Sequence, residues 1–314
     1  MVTPRTQIEP THATLKQQIS EAGLQTGAVA VGFAQAGPVD TGAIEAYGRF
    51  LDDEGAAEMP YLANYREIRA NPLRLFEPPA TEGSVICMAF PYWHPRRNPL
   101  FARYAQGADY HRVLRKKLKP VARLITDATS ARARVCVDTA PILERYWAVR
   151  SGIGFMGLNR CLIVPGAGSW VFLAEIVTEA VFEPDKPCTL SCRGCNACLR
   201  RCPGKALSRH GVSATRCHSC LSIEHRGPLP EGTALKIPYG CDTCQTVCPH
   251  NAAPAPGLPE FAPAPAMLTL TRADLASLTP DTYAALFGTS AITRCPLDQL
   301  HRNLRLLPGT ALLH

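Results

Sequence analysis

The stretch that most constrains this chain is Cys192-Arg193-Gly194-Cys195-Asn196-Ala197-Cys198-Leu199-Arg200-Arg201-Cys202-Pro203, a C-x2-C-x2-C-x3-C-P run. Thiolates at i, i+3 and i+6 of one loop reach three irons of a single [4Fe–4S] cube. The fourth, held after the loop has turned into helix, points away to a different cluster. A zinc site instead pairs two C-x2-C knuckles across a longer gap. A second run, Cys241-x2-Cys244-x3-Cys248-Pro249, repeats the ending with one cysteine fewer. Two cubes need eight ligands, so one is still missing, and Cys217 and Cys220 are the candidates between the runs. Crossing the fourth cysteines assigns Cys192, Cys195, Cys198 and Cys248 to one cube. The other takes Cys202, Cys241, Cys244 and one of Cys217 or Cys220. A single cluster with a structural zinc is the competing reading.

Fourteen cysteines without a secretory signal point to thiolates for metal in a reducing cytoplasm, not to disulfides. No stretch has the apolar length of a bilayer span, so no membrane partner is expected. The net charge of +7 suits an anionic partner such as nucleic acid. Prolines crowd into 249–266, which reads as an extended connector outside the packed core.

Periodicity predicts helices over 12–23, 40–55, 109–129 and 141–152, the third bent at Pro120 and the fourth with Pro141 in its first turn. Strands are predicted over 28–33, 84–90, 133–139, 161–165 and 169–181, the last two joined as a hairpin through Gly166-Ala167-Gly168. The fold class is α+β. Residues 1–182 form the α+β domain, 183–255 a ferredoxin-like domain folded around metal, and 256–314 a Pro-rich connector with a short helical segment.

Gly152-Ile153-Gly154-Phe155-Met156-Gly157 spells G-x-G-x-x-G, but a helix precedes it and a strand follows, the reverse of a dinucleotide site. Asp138 ends a strand before Thr139-Ala140-Pro141; on pattern alone it reads as a helix cap, with proton transfer as the functional alternative. Glu144 and Arg145 read as an ion pair, and His111 as a solvated or capping residue. Arg112, Arg115, Lys116, Lys117, Lys119 and Arg123 make the third helix basic: a solvated face, or one that meets phosphate. Cys87, Cys136 and Cys161 lie in apolar strands and read as buried small hydrophobes.

From about Met59 to Leu306 these motifs, in this order, resemble epoxyqueuosine reductases. The resemblance rests on Asp109-Tyr110-His111 with Leu114-Arg115, and on Val137-Asp138-Thr139-Ala140-Pro141 with Glu144-Arg145. It continues through Gly152-Ile153-Gly154-Phe155-x-Gly157-x-Asn159, Gly168-Ser169-Trp170, both cysteine runs and Gly288-Thr289-Ser290. It implies a cobalamin beside two [4Fe–4S] clusters, on a domain similar to nitroreductase and cobalamin-processing folds. It implies reduction of an epoxide on the wobble base of the tRNA anticodon stem-loop, with an external donor such as flavodoxin or ferredoxin. It makes Asp138 the proton donor, which calls for a raised carboxyl pKa. Arg69, His111, Asp138, Asn159, Leu162 and Leu173 would surround the corrin, and Cys217 would be the eighth cluster ligand.

Two departures stand out. Leu158 replaces a lysine usual before the asparagine, and the chain stops at His314 without a helical-repeat tail, leaving Arg294, Arg302 and Arg305 as candidate RNA contacts. A corrinoid reductive dehalogenase shares the cofactors, but typically has a twin-arginine signal and a tyrosine acid. A bare ferredoxin-type carrier has no need of the α+β domain.

Overall fold

The apolar run 84–91 becomes the centre of the fold because both its faces are covered. A computed structural model describes residues 12–52, 59–192 and 194–308. In it Ser84–Pro91 is strand β2, buried at every position. Its side chains alternate: Ile86, Met88 and Phe90 enter one core, Val85, Cys87 and Ala89 the other. The elements before it are α1 (His12–Gln25), β1 (Ala30–Gln35), α2 (Thr41–Asp52) and the short α3 (Arg66–Ala70). After it come α4 (Tyr110–Thr129), β3 (Ala133–Cys136), α5 (Glu144–Arg150), β4 (Phe155–Met156), β5 (Leu162–Ile163) and β6 (Val171–Thr178). The main sheet has the order β1-β2-β6-β3, antiparallel at every pairing.

Helix α4 buries Leu114, Leu118, Val121, Ala122 and Ile125, a helical stripe laid on the sheet beside Leu15 and Ile19 of α1. Asp109 caps α4 by accepting from the His111 backbone N–H. Pro120 stands inside α4 on its solvent side, where only the bond to the Lys116 carbonyl is lost. The opposite face of the sheet is covered by α5, through Trp147 and Ala148. Gly32 makes that approach possible, since a Cβ there would lie 2.1 Å from the Ser151 carbonyl oxygen. Gly32→Ala should therefore destabilise the protein by about 1–3 kcal/mol in urea unfolding. Gly42→Ala, with open space around it, should change stability by no more than roughly 0.5 kcal/mol. Equal midpoints for the two would contradict this packing.

The cysteine region adds α6 (Ala197–Arg201), α7 (His218–Ile223) and α8 (Thr243–Thr246); the C-terminal part adds α9 (Pro265–Thr269), α10 (Arg272–Ala276), α11 (Pro280–Phe287) and α12 (Leu297–Arg305). Phe287, Ile292, Leu300 and Leu304 form a third core with Phe101, Leu221 and Tyr239, which ties the last helices to the cysteine region.

Several expectations change. Glycines 166 and 168 do turn the chain, with positive φ and a Val164–Gly168 bridge, but no hairpin follows. Strand β5 pairs with β4, while β6 crosses into the main sheet between β2 and β3. Helix α5 starts at Glu144 instead of Pro141, because two tight turns occupy 137–142, closed by Thr139 N–H to the Val137 carbonyl and Ile142 N–H to that of Ala140. The Pro-rich segment is packed: Phe261 is buried in the first core, and Gly257 and Leu258 donate backbone bonds to Trp93 and Pro91. The end of the helix predicted over 40–55 lies outside the described residues.

Candidate functional site

Asp138 follows the last residues of β3 and is held with φ 54°, a left-handed conformation that aspartate tolerates better than most residues. The tight turn lifts its side chain out of the sheet, leaving it 54% exposed. Three neighbours fix it. The Tyr110 hydroxyl donates to Asp138 Oδ2 at 3.0 Å, and His111 Nε2 lies 2.9 Å from the same oxygen. The Asp138 backbone N–H donates to Glu144 Oε1 at 2.5 Å. His111 in turn places Nδ1 2.7 Å from Asp109 Oδ1, so its ring bridges two carboxylates. Tyr110 stacks between His111 and Phe172, with ring centroids 4.0 and 4.2 Å away. The first turn of α4 and the turn after β3 thus assemble one acid–base group.

The electrostatics differ from the expected raised carboxyl. Burial pushes Asp138 up, but the hydrogen bond and charge of His111, then Tyr110 and Arg294, outweigh it and the net shift is downward. Burial pushes His111 down, yet its bonds to Asp138 and Asp109 and their charges raise it. The transferable proton therefore rests on the imidazolium side of the His111–Asp138 bond. Burial, followed by the charge of Asp138, raises Glu144 to about 8. It pairs with the Asp138 peptide; no ion pair with Arg145 occurs among the described residues, and Arg145 donates to the Arg160 carbonyl instead. Asp138 caps no helix.

The cysteines gather in two places. Cys192, Cys195, Cys198 and Cys248 line one cavity of about 310 Å³, which brings the last cysteine of the second run to the first three of the first. In the second group, the charges that act on Cys217 are those of Cys241 and Cys244, and the Cys220 and Ser219 backbone N–H groups point at the Cys217 sulfur. Cys202 ends α6, where its sulfur accepts the Ala206 N–H at 3.3 Å. Cys161, read from the sequence as a buried small hydrophobe, adjoins this group: the neighbouring Cys244 is the main influence on its thiol. Leu158 lines the first cavity and its N–H donates to Cys192 Sγ at 3.4 Å, giving an apolar wall at the position where the resemblance has lysine.

The residues expected around a corrin are spread over several elements. Asn159 is buried, lines the cysteine cavity and leaves Nδ2 without a partner among the described residues. Leu162 is buried in β5 and Leu173 half-buried in β6. Arg69, on α3, donates to the Asn64 carbonyl. Strand β3 pairs only with positions 175–178, so among the described residues the edge of β6 at Val171–Ala174 has no strand beside it on that side. An open strand edge next to exposed Asp138 and apolar Leu173 fits a large amide-bearing macrocycle such as cobalamin. Tyr61 stands near Asp138 with Arg294 over its ring at 5.0 Å. Arg294 is paired with Glu224, and Arg302 donates to the carbonyls of Leu221, His225 and Gly227, so both serve internal structure. Arg112, Arg115, Lys116, Lys119 and Arg123 are exposed on α4, while Lys117 pairs with Glu260.

Comparison with known proteins places the chain in a family. A family profile described as epoxyqueuosine reductase QueG, DUF1730, matches residues 69–139, and one described as a 4Fe-4S double cluster binding domain matches 191–251. The epoxyqueuosine reductase of Gloeobacter violaceus is 35% identical over 318 residues, covering 96% of this chain and 97% of that protein. That of Cellulophaga algicola is 32% identical, covering 82% and 87%. A crystal structure of an epoxyqueuosine reductase with an epoxyqueuosine-modified tRNA-Tyr stem-loop superposes with TM-score 0.81 at 30% identity, covering 94% of this chain and 81% of that one. The Streptococcus thermophilus enzyme gives 0.80 at 27% identity, with 93% and 80% covered.

Proposed function

The chain belongs to the epoxyqueuosine reductase family, and from that premise we propose that the Asp138 group is where it reduces epoxyqueuosine to queuosine at the wobble position of tRNA. The enzyme is an oxidoreductase that uses two [4Fe–4S] clusters and cobalamin. The observation that carries the siting is the set of bonds on Asp138: a carboxylate at an open face, with the His111 imidazole and a tyrosine hydroxyl on one oxygen. When bound, cobalamin supplies the low-valent cobalt at which the epoxide is reduced. The chain's own residues do the rest. Asp138 hands a proton to the departing oxygen, and His111 reloads it across the 2.9 Å bond. Asp109 and Tyr110 hold the imidazole and the carboxylate in register.

Cys192, Cys195, Cys198 and Cys248 hold one cube; Cys202, Cys217, Cys241 and Cys244 hold the other. Support comes from the cavity shared by the first set and from the charges of Cys241 and Cys244 acting on Cys217. Cys195 is exposed, so the first cube meets the donor. That donor is a small one-electron carrier such as flavodoxin or ferredoxin, drawn by Arg200 and Arg201 on α6. The exposed cations of α4 meet the tRNA backbone, and the target base leaves its stack to reach Asp138. No helix among the described residues is long and apolar enough to cross a membrane, and the enzyme works in the cytoplasm. Arg69, Asn159, Leu162 and Leu173 stand as corrin contacts, Leu173 supported by the open edge of β6.

Mass analysis of tRNA nucleosides tests the function. A strain lacking the gene should accumulate epoxyqueuosine and lose queuosine, and the wild-type gene should restore it. Unchanged queuosine in the deletion strain would exclude this role.

A further inference from the structure

Glu175 lies in the middle of β6, fully buried, and among the described residues neither carboxyl oxygen has a hydrogen-bond partner. Buried carboxyls are rarely left so, because an ionised group there has lost its solvation with nothing in return. The alternation of β6 turns Glu175 to the face covered by α5, between Leu173 and Val177. Cys87 of β2 and Cys136 of β3 are its direct cross-strand partners. The acidic charges acting on it are those of Glu144 and Asp138. Arg145 and His111 act on Glu144, and Arg134 and Arg115 on Cys136. No cation pairs with Glu175 among the described residues. The two buried thiols beside it are pushed up chiefly by burial, so neither brings it a compensating charge.

The reaction needs more than one proton. Turning an epoxide into an alkene breaks two C–O bonds, forms a C=C bond and releases the oxygen as water, consuming two electrons and two protons. The clusters bring the electrons one at a time. The His111–Asp138 bond holds one transferable proton. We propose that Glu144 and Glu175 are the store of the second proton, kept as un-ionised acids behind Asp138, with Glu144 reloading the Asp138 carboxylate after its first transfer. Glu144 is placed for this by its contact with the Asp138 peptide at the start of α5, which packs on β6, and it is the first acid to act on Glu175. Burial raises both groups, in agreement with this geometry. Both act through Asp138 and are positioning residues for the proton, not groups that touch the substrate.

This inference rests on the proposed reaction, and infrared spectroscopy separates the two. The wild-type holoenzyme at pH 7 should show the carbonyl stretch of un-ionised carboxylic acid, shifted in deuterium oxide, with intensity lost in both Glu175→Gln and Glu144→Gln. Absence of that band in the wild type overturns the store even if epoxyqueuosine is reduced, and settles the matter should a variant not fold. In turnover, Glu175→Gln should lower kcat about 10-fold, keep KM for the tRNA within about twofold and enlarge the solvent deuterium isotope effect. A Glu175→Gln enzyme with wild-type kcat and isotope effect also overturns it.

Discussion

Asp138→Asn should lower turnover of epoxyqueuosine tRNA by roughly 10²–10⁴-fold while iron and cobalamin contents stay at wild-type levels. The substitution isolates proton transfer because little else changes. Asparagine tolerates the left-handed backbone at φ 54°. Its side-chain oxygen still accepts from Tyr110, and its backbone N–H still donates to Glu144. It cannot accept a proton from His111 and pass it on. The pH dependence follows from the same bond. The raised histidine stays protonated below its folded pKa and loses the proton as pH rises through it, so wild-type turnover should fall on that alkaline limb. The lowered Asp138 stays a carboxylate until pH falls through its own folded pKa, which sets the acid limb. Stopped single-turnover assays on a modified stem-loop under anaerobic conditions measure both. Asp138→Asn turning over at the wild-type rate would remove Asp138 from the chemistry.

What could be read from the chain depended on how local each signal was. The two cysteine runs carry their meaning in spacing within a dozen residues, so a double-cluster domain was readable before any fold was known. The strand at 84–90 announced its burial by composition, and the structure extends it to Pro91. Asp138 was ambiguous, because a carboxylate before Thr-Ala-Pro has the pattern of a helix cap. Only the tight turns at 137–142, which delay α5 to Glu144, take that role away. The pairing of His111 with Asp138 joins residues 27 apart in sequence, and no local periodicity encodes it. Glu175 was silent for a similar reason. One acid in an apolar strand acquires meaning only when β2 and β3 close on either side of it. The hairpin expectation failed on pairing rather than on the turn: β6 gains more by lying between two apolar strands than by folding back on two-residue β5.

Cys248→Ala should bring iron down from about eight to about four per chain and remove one cluster's electron paramagnetic resonance signal, with turnover lost. The position is far from the loop whose cube it completes, 50 residues past Cys198, yet both line the same cavity. An uncrossed arrangement would instead give Cys202 to the first cube and Cys248 to the second. Loss of the second cluster in Cys248→Ala, with the first intact, would establish that alternative. The Cys217 and Cys220 pair makes a sharper comparison because both sit at the start of α7. Cys217 lies close enough to Cys241 and Cys244 to feel their charge, whereas Cys220 is buried within the helix and its backbone N–H points at Cys217. Cys217→Ala should cost the second cluster, and Cys220→Ala should retain about eight irons. Because metal ligation contributes to folding in a region with so little regular structure, the Cys217 variant should also unfold earlier. The order of thermal midpoints, wild type and Cys220→Ala above Cys217→Ala, then reports the same assignment without any turnover assay; the reverse order would make Cys220 the ligand.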